Sequence, residues 1–121
     1  MAHILVIDDK ASMRNTIRMM LEEHGHAVSE VADGAAGIAA YRNRPAEVVI
    51  VDIFMPEKSG METIRDLRRE FPNARLLAIS GGDRDMTDPE SYLNLAIRFG
   101  ANQTLSKPFT MDTLLATVKE L

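Results

Sequence analysis

The feature that most constrains the fold is a fivefold alternation of short apolar runs with amphipathic stretches. The runs are rich in β-branched and aliphatic residues and occupy positions 4–7, 27–31, 48–51, 76–79 and, most weakly, 102–105. The first, third and fourth are apolar almost throughout, as in strands that are covered on both faces. The stretches between them have helical spacing, as in Met13, Ile17 and Leu21. Five βα units predict an α/β fold, a flavodoxin-like (βα)5 three-layer sandwich whose five-stranded parallel sheet has the order 2-1-3-4-5.

Signals for helix ends agree with this division. Ser59 followed by Glu62 three residues later is a capping-box pattern before the third helix. Asp88 and Pro89 predict an N-cap followed by a proline in the first turn of the fourth helix. Glycines occur where the first and fourth helices should end, at Gly25 and Gly100.

Composition narrows the class of protein. The chain has 121 residues, the usual size of one domain, and a net charge of −4 with dispersed basic residues, so we expect one domain over 1–121 and no direct nucleic-acid binding. The absence of cysteine excludes disulfides, thiolate zinc sites and cysteine nucleophiles. Apolar runs are far shorter than the roughly 20 residues that cross a bilayer, and the N-terminus lacks a signal-like segment, so no membrane association and a cytoplasmic location are expected.

Polar residues stand at the carboxyl ends of four of the five predicted strands. Asp8 and Asp9 follow the first strand, and Asp52, Ser80 and Lys107 follow or lie close after the third, fourth and fifth. Ligands of open α/β sheets bind outside the carboxyl ends of the strands, where the strand order reverses. Any one of these residues alone is equally explained as a solvated residue closing a strand. The ordered set predicts that three carboxylates, a hydroxyl and an ammonium group converge on one crevice.

Three adjacent carboxylates repel each other and require a cation. An all-oxygen ligand set without cysteine or a suitably placed histidine favours Mg²⁺ over zinc. We expect Mg²⁺ to use Asp9, Asp52 and the backbone carbonyl of Phe54, with Asp8 acting through a water molecule.

The same residues suit phosphoryl transfer. Asp52 is the expected nucleophile on phosphorus, giving an acyl phosphate. Lys107 is expected to neutralise charge on the transferring group, and the hydroxyl of Ser80 to donate a hydrogen bond to one of its oxygens.

The chain resembles the CheY-like receiver domain of bacterial two-component response regulators over its whole length. The motifs that carry the resemblance are Asp8-Asp9, Asp33-Gly34, Asp52-Ile53-Phe54-Met55-Pro56 with Gly60, Ser80, Gly100-Ala101 and Lys107-Pro108-Phe109. The resemblance implies a phosphorylation-dependent signalling switch that is not an enzyme beyond its own phosphorylation and dephosphorylation. It assigns the phosphoacceptor to Asp52, the acidic metal pair to Asp8 and Asp9, and a cis peptide to Lys107-Pro108.

The resemblance also implies partners. A histidine kinase or histidine phosphotransfer protein would supply the phosphoryl group, and a downstream protein target or output domain would receive the signal. We expect a monomer or a weak, phosphorylation-dependent dimer. Because the sequence stops in the predicted fifth helix, we expect no output domain within 1–121.

Three features depart from the family pattern. Thr104 occupies the place of the usual aromatic switch residue, so we expect the signal to emerge mainly through the loop after the fourth strand and through the fourth helix, which carries Tyr92 and Phe99. The loop at 81–87 is slightly long and polar, which indicates mobility and suits either a tolerated insertion or partner choice. Phe54 and Gly82, two residues past Asp52 and Ser80, cannot position water with a polar side chain, which predicts slow self-dephosphorylation.

Two other function classes are compatible with the sequence. An aspartyl-phosphate phosphatase would need a second acid and usually a cap over the site, for which the chain has no room. A degenerate receiver that binds partners without phosphorylation usually lacks an acid or the lysine.

Other residues have plain interpretations. The histidines beside Gly25 are expected to be solvated loop residues, and the segment after the acidic pair suits either contact with a phosphodonor or an exposed helix start. These residues are His24, His26, Lys10, Ser12, Met13 and Arg14.

Overall fold

The computed structural model describes residues 2–55, 59–80 and 89–121, with side chains described from residue 92 onward in the last range. Strands and helices alternate strictly along the chain. Their bounds are β1 His3–Ile7, α1 Ala11–Glu22, β2 Ala27–Val31, α2 Gly34–Asn43, β3 Val48–Asp52, α3 Gly60–Glu70, β4 Leu76–Ser80, α4 Pro89–Phe99, β5 Gln103–Ser106 and α5 Met111–Glu120.

The five strands form one parallel sheet in the order β2-β1-β3-β4-β5, which confirms the predicted fold. Strand order therefore reverses between β1 and β3, because the chain moves to one side of β1 for β2 and to the other side for β3. The predicted fifth strand was displaced by one residue, since β5 begins at Gln103 rather than at Asn102. β5 is a half-buried edge strand, so its sequence lacks the continuous apolar character that marks the central strands.

The sheet separates two apolar cores and so forms the middle of three layers. One core contains α2, α3 and α4 side chains such as Tyr41, Leu67 and Ala96. The other contains α1 and α5 side chains such as Leu21 and Leu114. β3 and β4 are buried along their whole length, in agreement with their apolar sequences. Among the described residues, no helix combines the length and apolar character needed to cross a bilayer.

The helix ends follow the local signals in the sequence. The side chain of Ser59 accepts a hydrogen bond from the backbone N–H of Glu62, which confirms the predicted cap of α3. α4 begins at Pro89, but its predicted N-cap Asp88 lies outside the described residues, as do the loop at 81–87 and Gly82. Gly25 and Gly100 follow α1 and α4 with φ of 87° and 128°, a left-handed region that favours glycine.

Candidate functional site

Three carboxylates meet at the carboxyl ends of two adjacent inner strands, β1 and β3. Asp8 and Asp9 follow β1, and Asp52 is the last residue of β3, so the reversal of strand order brings them together. One carboxylate oxygen from each lies within 4.8 Å of the others. Asp8 and Asp52 are fully buried, while a quarter of the Asp9 side chain is exposed. The predicted convergence of these three residues is confirmed.

Backbone amides hold one oxygen of each buried acid. The N–H of Lys10 donates to Asp8 Oδ1 at 2.9 Å, and the N–H of Phe54 donates to Asp52 Oδ1 at 3.0 Å. The other oxygen of Asp52, Oδ2, is buried and accepts no hydrogen bond within the described part of the chain, and the same holds for Asp9 Oδ1. Each of these two oxygens therefore keeps a lone pair that is available to a further ligand.

Lys107 follows β5, an edge strand of the sheet, and its side chain reaches the acidic cluster. Its Nζ lies 3.5 Å from Asp8 Oδ2 and 3.8 Å from Asp52 Oδ2, and its side chain is only 10% exposed. The backbone N–H of Lys107 donates to the carbonyl of Ser80 at 2.8 Å. The peptide bond between Lys107 and Pro108 is cis, as the family resemblance implied. The ammonium group is thus positioned between two of the three carboxylates.

Ser80 ends β4 at the same edge of the sheet. Asp52 pairs with Ile79 across β3 and β4, so Ser80 lies one residue beyond the level of the phosphoacceptor candidate. The residue is buried. Ser80 therefore lies at the same edge of the sheet as the carboxylates, and its role beside them stays a prediction.

Burial is the main electrostatic influence on Asp52. Removal from water raises the pKa of this carboxyl above its ordinary value, because the charged form loses hydration. The N–H of Phe54 and the charge of Lys107 oppose this increase in pKa, the nearby Asp8 adds to it, and Lys10 opposes it more weakly. Burial therefore disfavours the anionic form of Asp52, and the neighbouring positive charges favour it.

Two basic residues just after the acidic pair contact the site more directly than the sequence alone indicated. The Nζ of Lys10 lies 3.5 Å from Asp52 Oδ2 and 3.8 Å from Asp9 Oδ1. Arg14 donates from Nη1 to the backbone carbonyl of Asp8 at 2.7 Å, and its Nε donates to Glu30 at 3.0 Å. Their proximity in sequence to the acidic pair was the available signal, but it also suited an exposed helix start.

Phe54 connects the site to α4. Its ring contacts the ring of Tyr92 edge to face, with centroids 5.2 Å apart. The two rings border a cleft of about 460 Å³ that extends to Asp9 and also exposes Leu95. The cleft is largely apolar, since its remaining described lining is Ile53, Met55, Ser59 and Met61.

The donor set fits a hard divalent cation. All three side chains offer carboxylate oxygens, and two of those oxygens are buried without a hydrogen bond. Mg²⁺ prefers such oxygen ligands and is commonly held by one or two carboxylates. Within the described residues, this is the one group of three potential ligands close enough to hold a metal, and the histidines near Gly25 lie outside it. His24 is exposed, while Nδ1 of His26 accepts a hydrogen bond from the N–H of Ala2.

The chain is similar over nearly its whole length to known proteins. A family model described as the response regulator receiver domain matches residues 4–119. Protein PilH of Pseudomonas aeruginosa is 32% identical over 118 residues, which cover 98% of this chain and 95% of PilH. The chemotaxis protein CheY of Bacillus subtilis is 31% identical over 122 residues, covering 99% of this chain and 98% of that protein.

Solved structures agree in fold. The chemotaxis protein CheY4 of Vibrio cholerae superposes with a TM-score of 0.86 at 30% identity, covering 99% of this chain and 98% of that chain. Other relatives are longer, and the chain spans about half the length of several that are named as transcriptional regulatory proteins.

Proposed function

Because the chain belongs to the response regulator receiver domain family, we propose that Asp52 accepts a phosphoryl group from a phosphorylated histidine in a Mg²⁺-dependent reaction. Receiver domains are signalling switches of two-component systems rather than enzymes in the ordinary sense. The observation that carries the proposal is Asp52 Oδ2, a buried carboxylate oxygen without a hydrogen bond that faces Lys107. Such an oxygen is held in place and still free to form a bond.

In the proposed step an oxygen of Asp52 attacks phosphorus and forms a new P–O bond. The bond from phosphorus to the histidine nitrogen of the donor breaks, and the electron pair stays on that nitrogen. The nucleophile must be ionised. Burial raises the pKa of Asp52, and the nearby charges of Lys107 and Lys10 favour its anionic form. The product is an acyl phosphate on Asp52.

Lys107 and Ser80 are proposed to stabilise the transferred group. The ammonium of Lys107 already lies 3.8 Å from Asp52 Oδ2, close enough to contact a phosphoryl oxygen attached there. The hydroxyl of Ser80 is proposed to donate a hydrogen bond to another phosphoryl oxygen from the neighbouring strand β4. Fixed positive charge and a fixed donor lower the barrier without reorganising during transfer.

Receiver domains bind Mg²⁺ through acidic residues, and the residues proposed to hold it here are Asp9, Asp52 and the carbonyl of Phe54, with Asp8 acting through water. When bound, Mg²⁺ supplies charge neutralisation for the phosphoryl oxygens. The carboxylates of Asp9 and Asp52 would hold the ion directly, and the backbone amides of Lys10 and Phe54 orient Asp8 and Asp52.

We further propose that residues 1–121 act as one receiver unit. Its phosphodonor would be a histidine kinase or a histidine phosphotransfer protein. Its output would be a separate protein or a linked domain. Family members of about this length match the chain, and so do members about twice as long. A degenerate receiver is less well supported, since the three acids and Lys107 are all in place. Phosphatase activity on small esters is less well supported too, because no acid among the described residues joins the cluster beyond the three carboxylates proposed to hold the cation.

The test is modification of the purified protein by acetyl phosphate with and without Mg²⁺. The wild type should gain the mass of one phosphoryl group only with Mg²⁺, and Asp52→Asn should gain none. Asp112→Asn, an exposed change on α5, is the matched control and should behave as the wild type. Lack of Mg²⁺-dependent modification of the wild type, or its persistence in Asp52→Asn, would contradict the proposal.

A further inference from the structure

Lys10 occupies an unusual position for a residue at the start of a helix. It immediately precedes α1, and its side chain caps nothing. Its Nζ instead turns back to the acidic cluster, 3.5 Å from Asp52 Oδ2 and 3.8 Å from Asp9 Oδ1, with a third of the side chain exposed. The ammonium therefore lies beside two of the three carboxylates and remains in contact with solvent.

The two oxygens that face Lys10 are the same two that are buried without a hydrogen bond, Asp52 Oδ2 and Asp9 Oδ1. Contacts of 3.5–3.8 Å provide Coulomb attraction but no directed hydrogen bond. The ammonium thus lies against the atoms best suited to a divalent cation, and it is attached to a flexible stem that can move into solvent.

Lys107 differs from Lys10 in the features that matter. It contacts Asp8 rather than Asp9, and only a tenth of its side chain is exposed, against a third for Lys10. Lys107 is enclosed beside the cluster, whereas Lys10 covers its solvent side. Displacement of Lys10 therefore requires less rearrangement than displacement of Lys107.

We propose that Lys10 is a tethered counter-ion that competes with the divalent cation and so sets the metal affinity of the site. The inference rests on the proposed Mg²⁺ site and adds a regulator to it. In the metal-free protein the ammonium offsets the repulsion among the three carboxylates. When the cation binds Asp9 and Asp52, the ammonium moves away from these oxygens toward solvent, at an electrostatic cost that weakens metal binding.

Titration calorimetry with MgCl₂ tests this on the wild type, Lys10→Met and Lys10→Arg. Lys10→Met keeps the apolar stem without the charge and should bind Mg²⁺ about tenfold more tightly, given partial solvent screening at this distance. Lys10→Arg keeps the charge and should stay within about twofold of the wild type. Lys119→Met removes the same charge from an exposed position on α5 and should leave the affinity unchanged.

A second readout is thermal unfolding without metal. Lys10→Met should melt at a lower temperature than the wild type in EDTA, because the carboxylates lose a neighbouring positive charge, and should recover more on adding Mg²⁺. Far-ultraviolet circular dichroism confirms folding, and Lys10→Gln serves as a second neutral variant. Equal or weaker Mg²⁺ binding by both neutral variants would overturn the role of Lys10 alone. A wild type that binds no Mg²⁺ would overturn the proposed metal site and this inference together.

Discussion

The ring of Phe54 contacts the ring of Tyr92 with an interplanar angle of 66° and a centroid separation of 5.2 Å. This contact joins the loop after Asp52 to α4. Phe54 is also tied to the phosphoacceptor candidate, because its N–H donates to Asp52 Oδ1. A change at Asp52 can therefore reach the surface of α4 through two residues, Phe54 and Tyr92. Tyr92 is 42% exposed. The route is relevant because the family resemblance places Thr104 where an aromatic switch residue is expected.

Substitution of Tyr92 by Ala should uncouple α4 from the site. With Mg²⁺ and beryllofluoride, a phosphoryl mimic, the wild type should show amide chemical-shift changes both in the loop after β3 and along α4. In Tyr92→Ala the loop changes should persist, while those of α4 should fall to less than about half, because the ring contact is lost.

The control for this experiment is Ile97→Ala, which removes another exposed apolar side chain from α4 without touching Phe54. It should retain the α4 response. Full α4 shifts in Tyr92→Ala would show that the signal reaches α4 by another route. Chemical-shift changes in the wild type that are confined to the loops after β1 and β3 would contradict α4 as the responding element.

The acyl phosphate should be long-lived, and Phe54 should be one cause. Its half-buried ring offers no polar group to position an attacking water molecule. Phe54→Asn introduces an amide at that position and should accelerate loss of the phosphoryl group about threefold to tenfold, a barrier change of about 1 kcal/mol.

The measurement is decay of phosphorylated protein after removal of the donor, followed by intact mass. Ile97→Asn introduces the same polar group on α4, away from the site, and should leave the half-life unchanged. An unaltered half-life in Phe54→Asn would remove the ring as an explanation for a slow reaction.

Much of the fold was predictable because its determinants are local or periodic. Central strands covered on both faces require continuous apolar runs, so β1, β3 and β4 are evident in the sequence. β5 is weaker because an edge strand buries less, and its predicted start was one residue early. The cap of α3 depends on two residues only three positions apart, which makes its signal readable without tertiary information.

The candidate site was predictable where topology alone determines proximity. Parallel strands bring their carboxyl ends to one edge, so Asp8, Asp9 and Asp52 were expected to meet. The contacts of Lys10 and Tyr92 were not predictable in the same way. A long flexible side chain such as Lys10 can extend into solvent or fold back, and the contact of Tyr92 with Phe54 depends on how α4 packs on the loop after β3.

The raised pKa of Asp52 predicts a pH-dependent effect on stability. The folded protein binds the Asp52 proton more tightly than the unfolded chain, because burial disfavours the anion. The resulting stabilisation is complete below the unfolded pKa of about 3.9 and is lost as the pH rises through the folded pKa. At pH 7 without Mg²⁺, Asp52→Asn should therefore increase the free energy of unfolding.

Urea unfolding of wild type and Asp52→Asn at several pH values in EDTA measures this effect. The gain from Asp52→Asn should be largest near neutrality and diminish toward pH 4. Asp112→Asn is the control, because this exposed acid lies in the first turn of α5 and its loss should not stabilise the protein. A gain from Asp52→Asn that did not change with pH would show that packing, not ionisation, is responsible.

Gly60, the first residue of α3, should be required for the geometry of Asp52. Its N–H donates to the carbonyl of Ile53 at 3.3 Å, which brings the two backbones together. A Cβ added at Gly60 would overlap the carbonyl oxygen of Asp52 and the Cα of Ile53, so the start of α3 or the end of β3 would have to move. Gly60→Ala should destabilise the protein by about 2 kcal/mol or more and reduce both Mg²⁺ binding and modification by acetyl phosphate.

Gly25→Ala separates this steric effect from a general cost of replacing glycine. Gly25 has a φ of 87°, but a Cβ there would meet no atom within 4 Å, so the cost is backbone strain of about 1 kcal/mol. This variant should keep the Mg²⁺ affinity and phosphorylation rate of the wild type at temperatures where both remain folded. If Gly60→Ala retained them too, the position of Asp52 would not depend on close approach of α3. Loss of both activities in Gly60→Ala alone would instead show that the start of α3 holds the carboxylate in place.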